Sequence, residues 1–209
     1  MRHDTRERPM FDTRMDPGPH LMRRFGALIR PPALTTPDAW ARANRVYGPE
    51  AGLPGPRNPY LSPSMVQLGR AAVSGLYRRV VGVTGAQTGK TDTVLDVIGQ
   101  RLDQRPTPIL YVGPSAEFNR DQFEPRLRRM IIECGGLSGK LVRGRREKKT
   151  LKKVAGVRMR LASAVSSTSL KSDPAGFAIV DEYDEMLKNI RSQGDPLGLV
   201  EARGDTYAD

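Results

Sequence analysis

The fold is decided by one stretch of the sequence, Thr84-Gly85-Ala86-Gln87-Thr88-Gly89-Lys90-Thr91. The apolar run Val80–Val83 precedes it, and a helix-compatible segment begins after it near Asp92. A strand, a tight turn and a helix N-terminus in this order are typical of a phosphate-binding loop, because the N–H groups of the turn and the positive end of the helix dipole face one anion. The predicted phosphate-binding residues are Gly85, Ala86, Gln87, Thr88, Gly89, Lys90 and Thr91.

Two side chains of this loop carry the predicted chemistry. Lys90 is placed to bring a positive charge to β- and γ-phosphates, and the Thr91 hydroxyl is placed to bind Mg²⁺. The usual pattern is G-x-x-x-x-G-K-[ST], and its first glycine is replaced here by Thr84, with Gly85 beside it. The loop taken alone therefore leaves a chance turn as the alternative interpretation.

Asp181 and Glu182 form a pair of carboxylates much later in the chain. They follow the apolar run Phe177–Val180, which predicts a buried parallel strand that ends at the two acids. In a phosphate-loop NTPase, Asp181 would hold Mg²⁺, and Glu182 would orient the attacking water and accept its proton. A solvated strand end is the alternative for the acids alone. The two motifs in order favour catalysis, with Glu182 and Lys90 as the predicted catalytic residues.

Composition bounds the domain count and the class of partner. With 209 residues, of which 38% are hydrophobic, the chain is long enough to bury one substantial core but short for two full domains. Its net charge of +11 and isoelectric point near 10.2 indicate a polyanionic partner, most often nucleic acid. A generic basic surface is the alternative.

Several classes of protein are disfavoured by the residues present. Cys134 is the only cysteine, so no internal disulfide forms, and the only imidazoles are those of His3 and His20, which disfavours a structural zinc site. No apolar run approaches the length of a membrane span, and Met1–Met10 lacks the apolar core of a signal peptide. These features predict a soluble intracellular protein.

The order of elements predicts an α/β fold. Residues 1–59 are rich in proline and arginine and predict an extended, partly disordered arm with a short helix near 38–47, whereas residues 60–209 predict one globular domain. The elements predicted within that domain are a helix from Ser64 to Ser74, a strand Arg78–Val83, a helix Lys90–Leu102, a strand Ile109–Val112, a helix Glu117–Cys134, a half-exposed strand over 157–161 and the strand Phe177–Val180. This order is typical of a mostly parallel central sheet flanked by helices.

The densest positive segment of the chain runs from Gly135 to Lys153. A track for DNA phosphates is one interpretation, and a solvated hairpin or loop is the other. No aromatic residue is interleaved with the basic ones, which favours contact with a duplex backbone over stacking on single-stranded bases. The candidate DNA-binding residues are Lys140, Arg143, Arg145, Arg146, Lys148, Lys149, Lys152 and Lys153.

These residues together resemble one family, the large terminase subunits of tailed bacteriophages, particularly the lambda-like group. The likeness runs from about Tyr60 to Asp209 and includes a phosphate loop in which Gln87 lies two residues before Gly89. It further covers Ile109–Pro114, the helix at 121–132, the Ser/Thr-rich stretch 166–172, the segment Val180-Asp181-Glu182-Tyr183-Asp184, and residues 194–196 and 201–203.

The resemblance implies a P-loop NTPase of the additional-strand type that hydrolyses ATP with Mg²⁺. Such a motor translocates double-stranded DNA into a procapsid through a portal. It works as a homo-oligomeric ring with a terminase small subunit, in the host cytoplasm and with no membrane partner. On this resemblance Lys90 and Thr91 bind phosphates and Mg²⁺, Asp181 completes the metal shell, and Glu182 is the base.

The resemblance also indicates an adenine side and a missing arginine. Tyr60 and Gln67 lie where such ATPases often contact adenine, although simple packing is the alternative for both. Many terminases carry an arginine where this chain has Ala86, so the arginine finger is expected from elsewhere in the chain or from a neighbouring subunit. The candidates within the chain are Arg203, Arg143 and Arg120.

The end of the sequence sets a further expectation. Compared with the family, residues 60–209 stop before the strand that couples hydrolysis to motion and before the nuclease domain. We expect weak folding and slow or undetectable ATP turnover from residues 1–209 alone, because the coupling strand lies between the phosphate-loop strand and the Asp181 strand in such a sheet.

Two other functions fit the same residues. A DEAD-like helicase is the enzymatic alternative, because Asp181-Glu182-Tyr183-Asp184 also satisfies D-E-x-D. A non-catalytic basic DNA-binding module used for assembly is the other. The intact Lys90 and Thr91 argue against a degenerate nucleotide site.

Overall fold

A computed structural model of the chain describes residues 34–142, 144, 148–166, 170, 175–186 and 195–204. The helices described are α1 Pro37–Asn44, α2 Pro63–Val73, α3 Lys90–Gln104, α4 Ala116–Phe118, α5 Glu124–Glu133, α6 Gly135–Ser138 and α7 Pro196–Gly204. The strands are β1 Val46–Tyr47, β2 Gly55–Pro56, β3 Ile109–Gly113, β4 Leu151–Val154, β5 Val157–Ser163 and β6 Phe177–Val180. A π-helical segment covers Asn119–Phe123, and 3₁₀ turns cover Pro59–Leu61 and Tyr183–Glu185.

The main sheet has four strands in the order β4-β5-β3-β6. β3 is parallel to β5 on one side and to β6 on the other, and only the β4–β5 hairpin is antiparallel. The hairpin turns at Ala155 and Gly156, which both have positive φ angles, as a two-residue turn between twisted strands requires. The prediction of an α/β fold with a mostly parallel sheet flanked by helices is confirmed.

β3 is the centre of the core because helices or loops cover both of its faces. All five of its residues are buried. Ile109 and Tyr111 face a core built with α3 and α5, whereas Leu110 and Val112 face a second core that includes Val200 of α7. An uninterrupted apolar strand is what a two-sided parallel sheet requires.

Helix α1 packs against α3 through Trp40, which is 1% exposed. Its indole N–H donates to Asp103 Oδ2 over 2.9 Å, and a Cβ at Gly99 would lie 2.0 Å from the indole ring. The compact unit therefore begins at Leu34. The short helix predicted near 38–47 is present as α1, and Trp40 packs it into the core. The boundary at residue 59 stays a prediction, and residues 1–33 lie outside the described part of the chain.

A buried ion cluster fastens the β1–β2 ribbon to α3. The Arg45 guanidinium contacts both Asp92 and Asp96, and Arg57 Nη2 lies 3.2 Å from Asp96 Oδ2. Both arginines and Asp96 are buried, so their charges depend on one another for compensation. The first turn of α3, next to the predicted phosphate loop, is thereby tied to residues 45–57.

The strand predicted over Arg78–Val83 is wrong. Residues 77–85 are irregular, and the side chains of Val81 and Val83 are 72% and 95% exposed. Within the described residues no strand pairs with this segment, and β-branched composition alone does not hold an extended chain in a sheet. The segment passes close to α2 at Gly82, where a Cβ would lie 2.6 Å from Leu68.

The remaining predicted elements are present with shifted ends. The helix expected from Ser64 begins at Pro63, with Ser62 before it, and the helix expected over Lys90–Leu102 continues to Gln104. The helix expected over Glu117–Cys134 is divided by the π-helical segment. The C-terminal strand Phe177–Val180 has the predicted bounds.

Candidate functional site

The candidate site lies where α3 begins and β6 ends. Lys90 is the first residue of α3, and its Nζ lies 3.1 Å from Oε2 of Glu182, which comes two residues after β6. The two side chains are 28% and 23% exposed, so the pair is open to solvent on one side. Residues 92 positions apart in the chain therefore meet as the sequence predicts.

The loop before α3 reverses the chain through two positive φ angles, at Gln87 and Gly89. The Thr88 hydroxyl donates to the carbonyl of Gly85 over 3.0 Å, which closes the turn. Glycine suits position 89 because its φ is 88°, and a Cβ there would also make a tight contact of 3.0 Å with Ser62 Oγ. The turn leaves the first N–H groups of a 15-residue helix without intrahelical partners, as at any helix N-terminus.

Asp181 is buried beside this pair, with 7% of its surface exposed. Its Oδ2 accepts a hydrogen bond of 2.9 Å from the Tyr111 hydroxyl, and its Oδ1 accepts one of 3.1 Å from the Glu182 N–H. Burial raises the pKa of Asp181, and the hydrogen bond from Tyr111 opposes that rise. Burial and the neighbouring Asp181 charge raise the pKa of Tyr111, so its phenol remains a donor.

The backbone at Glu182 turns the acid toward the loop. Its φ of 52° lies in the left-handed region, which is uncommon for a residue other than glycine and is frequent at functional sites. The contact with Glu182 in turn raises the pKa of Lys90, which keeps the ammonium charged. The site thus combines one fixed cation, one buried carboxylate and one half-buried carboxylate.

Comparison with known families identifies the chain. The family model described as phage terminase large subunit gpA, ATPase domain, matches residues 51–209. The chain belongs to that family. No curated protein and no solved structure matches it.

The matched span of the terminase family contains every residue of the site, from the loop at 84–91 to Asp181 and Glu182. It begins after α1 and β1, so the segment that carries Trp40 and Arg45 lies before it, although Trp40 belongs to the core and Arg45 pairs with Asp96 of α3. Among the described residues, no helix has the length and apolar character needed to cross a membrane.

The two adenine-side candidates lie in and after the 3₁₀ turn that precedes α2. Tyr60 lies in the 3₁₀ turn before α2, and its hydroxyl donates to Asp38 Oδ2 over 2.9 Å. Arg70 makes two hydrogen bonds to the same carboxylate, and this contact holds the pKa of Asp38 well below its usual range. The Tyr60 ring is thereby fixed while 46% of the residue stays exposed. Gln67 is exposed on α2.

The eight basic DNA candidates separate into groups. Lys152 is wrong as a DNA-binding residue, because it is 2% exposed and its Nζ lies 2.5 Å from Oε1 of Glu124. Lys140 pairs with Asp103 over 2.7 Å, and this carboxylate partly cancels the positive charge that a DNA phosphate would meet. The other exposed candidates are Lys148, Lys149 and Lys153, and those outside the described residues are Arg143, Arg145 and Arg146.

The arginine-finger candidates are not brought together by the described structure. Arg120 makes two hydrogen bonds to the adjacent Asp121 and lies in the π-helical segment. Arg203 belongs to α7, with its backbone alone described, and Arg143 lies outside the described residues.

Two contributors to the site escape sequence reasoning. Tyr111 is predicted only as a residue of the strand Ile109–Val112, and the sequence analysis assigns no role to Ser62, whose Oγ lies beside Gly89. A phenol within an apolar strand is a signal in principle, because a buried Tyr hydroxyl requires a partner. Its partner lies 70 residues away, so the sequence does not name it.

Proposed function

We propose that this chain is the motor part of a terminase large subunit, which hydrolyses ATP with Mg²⁺ to translocate double-stranded DNA into a procapsid. The observation that carries the proposal is the 3.1 Å contact between Lys90 and Glu182, because it joins the candidate phosphate loop to the candidate base. Membership in the terminase ATPase family supports the same activity. The domain is then a P-loop NTPase of the additional-strand type, and the family favours this motor over a helicase or an inactive DNA-binding module.

The triphosphate is bound by the loop and the start of α3. Backbone N–H groups of Gly85–Gly89 and the positive end of the helix dipole attract the phosphate oxygens. Lys90 contributes the point charge for the β- and γ-phosphates. The contact with Glu182 shows that the ammonium reaches the space between loop and strand end.

The oxygen donors near this space fit Mg²⁺. Thr91 follows Lys90 directly and offers a hydroxyl, and Asp181 offers a carboxylate that two donors already orient. Mg²⁺ prefers one or two protein oxygens together with phosphate oxygens and water. When bound, the ion neutralises charge on the phosphates, and Thr91 and Asp181 are the residues that hold it.

Glu182 acts as the base in this proposal. Its carboxylate accepts the proton of a water molecule as the water oxygen forms a bond to the γ-phosphorus. The bond from that phosphorus to the β–γ bridging oxygen breaks, and ADP leaves with the electron pair on its terminal oxygen. Lys90 stabilises the developing negative charge there. Position 86 is alanine and cannot supply an arginine finger. In this proposal the finger comes from a neighbouring subunit or from one of the candidates Arg120, Arg143 and Arg203.

Nucleotide and DNA contacts outside the phosphates follow from the same placement. Tyr60 in the 3₁₀ turn and Gln67 on α2 take the adenine side in this proposal. Lys148, Lys149 and Lys153 are exposed around the β4–β5 hairpin and contact duplex phosphates, without reading base sequence. Family membership supports a terminase small subunit, a portal and further copies in a ring as partners in the host cytoplasm.

The test separates nucleotide binding from hydrolysis. ATP binding is measured by calorimetry. Hydrolysis by the full chain is measured as phosphate release under single-turnover conditions, with and without duplex DNA, so that the slow turnover expected of residues 1–209 is still detected. Glu182→Gln keeps the shape of the side chain and is expected to bind ATP within about threefold of wild type while turnover falls by roughly 10²- to 10⁴-fold, the usual contribution of a general base. Lys90→Ala is expected to lose binding itself.

The outcomes point in different directions. Wild-type turnover by Glu182→Gln would contradict the base assignment, and unchanged ATP affinity in Lys90→Ala would contradict the phosphate loop. Arg129→Ala is the control, because Arg129 pairs with Glu50 on the outside of α5 and is expected to change neither quantity.

A further inference from the structure

Tyr111 is a fully buried side chain next to the proposed site, and it ends in a polar hydroxyl group. It has 0% exposure and lies in the middle of β3. Its ring stacks on the ring of Phe123, with 3.6 Å between centroids and 6° between planes. Its hydroxyl lies 2.9 Å from Asp181 Oδ2 and donates to it.

The π-helical segment supplies the ring on which Tyr111 rests. Phe123 is the last residue of Asn119–Phe123, and it is 1% exposed. At the other end of the segment, the Asn119 amide donates to the carbonyl of Ala162 on β5 over 2.7 Å. π-Helical turns are rare in proteins, and those that occur are often found at functional sites. Here the turn packs the ring of Phe123 against the ring of Tyr111 on β3.

Strand pairing explains why the phenol reaches Asp181. β3 and β6 are parallel, with Tyr111 opposite Ile179, so Asp181 lies two residues beyond the level of Tyr111. The Asp181 N–H donates to the carbonyl of Val112 over 2.9 Å, which continues the ladder to the acid. Backbone and side chain of Asp181 are therefore both held from β3.

The two oxygens of Asp181 receive different donors. Oδ2 takes the phenol of Tyr111, and Oδ1 takes the N–H of Glu182. The backbone N–H of Glu182 is present whatever the side chain at that position. The Tyr111 hydroxyl, in contrast, is the one polar side-chain group in a strand whose neighbouring residues, Ile109, Leu110 and Val112, are apolar. Phenylalanine would fill the same volume without the cost of burying a hydroxyl.

The geometry points to Tyr111 as a positioning residue for the metal ligand Asp181, a role that rests on the function proposed above. Its O–H fixes the rotation of the carboxylate, so that Asp181 meets Mg²⁺-bound nucleotide without first being ordered. Partners of this kind orient metal ligands in many proteins, and their removal costs about 10- to 100-fold in metal affinity.

The experiment titrates Mg²⁺ into the full chain with the non-hydrolysable analogue AMP-PNP, with binding followed by calorimetry. Tyr111→Phe removes the hydroxyl and keeps the ring on Phe123. We expect its affinity for AMP-PNP in EDTA to stay within about twofold of wild type, whereas the Mg²⁺ concentration at half-saturation rises by about 10- to 100-fold.

A matched control addresses general loosening of the core. Ile98→Val truncates a fully buried side chain of the same core that does not touch Asp181, and a loss of stability without a lost donor is expected to leave the Mg²⁺ midpoint unchanged. Equal midpoints in wild type and Tyr111→Phe, or equal shifts in both variants, would overturn the positioning role while the proposed function stands. Absence of AMP-PNP binding by wild type would overturn both.

Discussion

Lys152 and Glu124 form an ion pair inside the protein, with Nζ and Oε1 2.5 Å apart and neither residue more than 5% exposed. The lysine lies on β4 and the glutamate begins α5, so the pair joins the basic hairpin to the helical layer. An ammonium in this position cannot reach a DNA phosphate. It is a structural charge within a segment whose other described lysines face solvent.

Substitution of Lys152 is expected to affect stability. Lys152→Ala leaves a buried carboxylate without its cation and should lower the free energy of unfolding by about 3–5 kcal/mol. Lys153→Ala changes an exposed neighbour and should stay within about 0.5 kcal/mol of wild type. Urea denaturation followed by circular dichroism measures both. Equal losses in the two variants would contradict the buried pair.

The change in stability caused by an added methyl group at Gly99 depends on the Trp40 ring, which packs directly against this position. Gly99→Ala gains about 1 kcal/mol of helix propensity, but its Cβ would lie 2.0 Å from the Trp40 ring. Overpacking of a dense core costs about 1–3 kcal/mol and often more for a fixed ring, so we expect a net loss of thermal stability. Gly198→Ala is the matched control, because it lies in α7 with nothing within 4 Å of the new Cβ, and it should stabilise. Thermal melts of the two variants must move in opposite directions.

Lys90 and Lys152 show what the sequence does and does not predict. The meeting of Lys90 with Glu182 is predicted by two sequence motifs, a phosphate loop at a helix N-terminus and an acidic pair at a strand end, and it occurs although the strand expected before the loop is not present. The burial of Lys152 depends on the register of β4, in which Lys152 is opposite Met159 and Lys153 is opposite Arg158. Register is a tertiary property, so the two lysines look alike in the sequence.

The same distinction explains the wrong strand at Arg78–Val83 and the packing of α1 into the core. A β-branched run is a strand only where another strand pairs with it, and the described strands pair elsewhere. Proline-rich composition predicts an extended chain, but Trp40 finds a site at Gly99 that its neighbours in sequence do not reveal. Pairing partners and packing partners are both distant in the chain.

Acid is expected to remove one specific contribution to stability. Arg70 holds the pKa of Asp38 below its unfolded value, so the ionised acid stabilises the fold above about pH 4, and this contribution is lost as the pH falls toward the folded pKa. Arg70→Met should reduce the free energy of unfolding at pH 6, because the buried carboxylate of Asp38 loses its charged partner, and the reduction should become progressively smaller below pH 4. Denaturation of both proteins across this range measures the difference.

A surface pair provides the control for this pH experiment. Arg79 contacts Glu201, and both side chains are more than a third exposed, so Arg79→Met should cost no more than about 1 kcal/mol at pH 6. A difference between wild type and Arg70→Met that stays constant from pH 6 down to acid would show that Asp38 is not the group involved.

The exposed lysines of the hairpin make a prediction about salt. Each lysine that contacts a duplex phosphate contributes about 0.9 to the slope of log affinity against log salt concentration, because binding releases a condensed counterion. Lys149→Ala should therefore flatten that slope by about one unit, and the triple substitution of Lys148, Lys149 and Lys153 by alanine should flatten it by roughly two to three. Arg129→Ala removes the same single charge from a residue paired with Glu50 and should leave the slope unchanged. Because the comparison holds net charge equal, a slope that responds alike to Lys149→Ala and Arg129→Ala would mean that the chain attracts DNA through its overall charge and that the hairpin is not the contact surface.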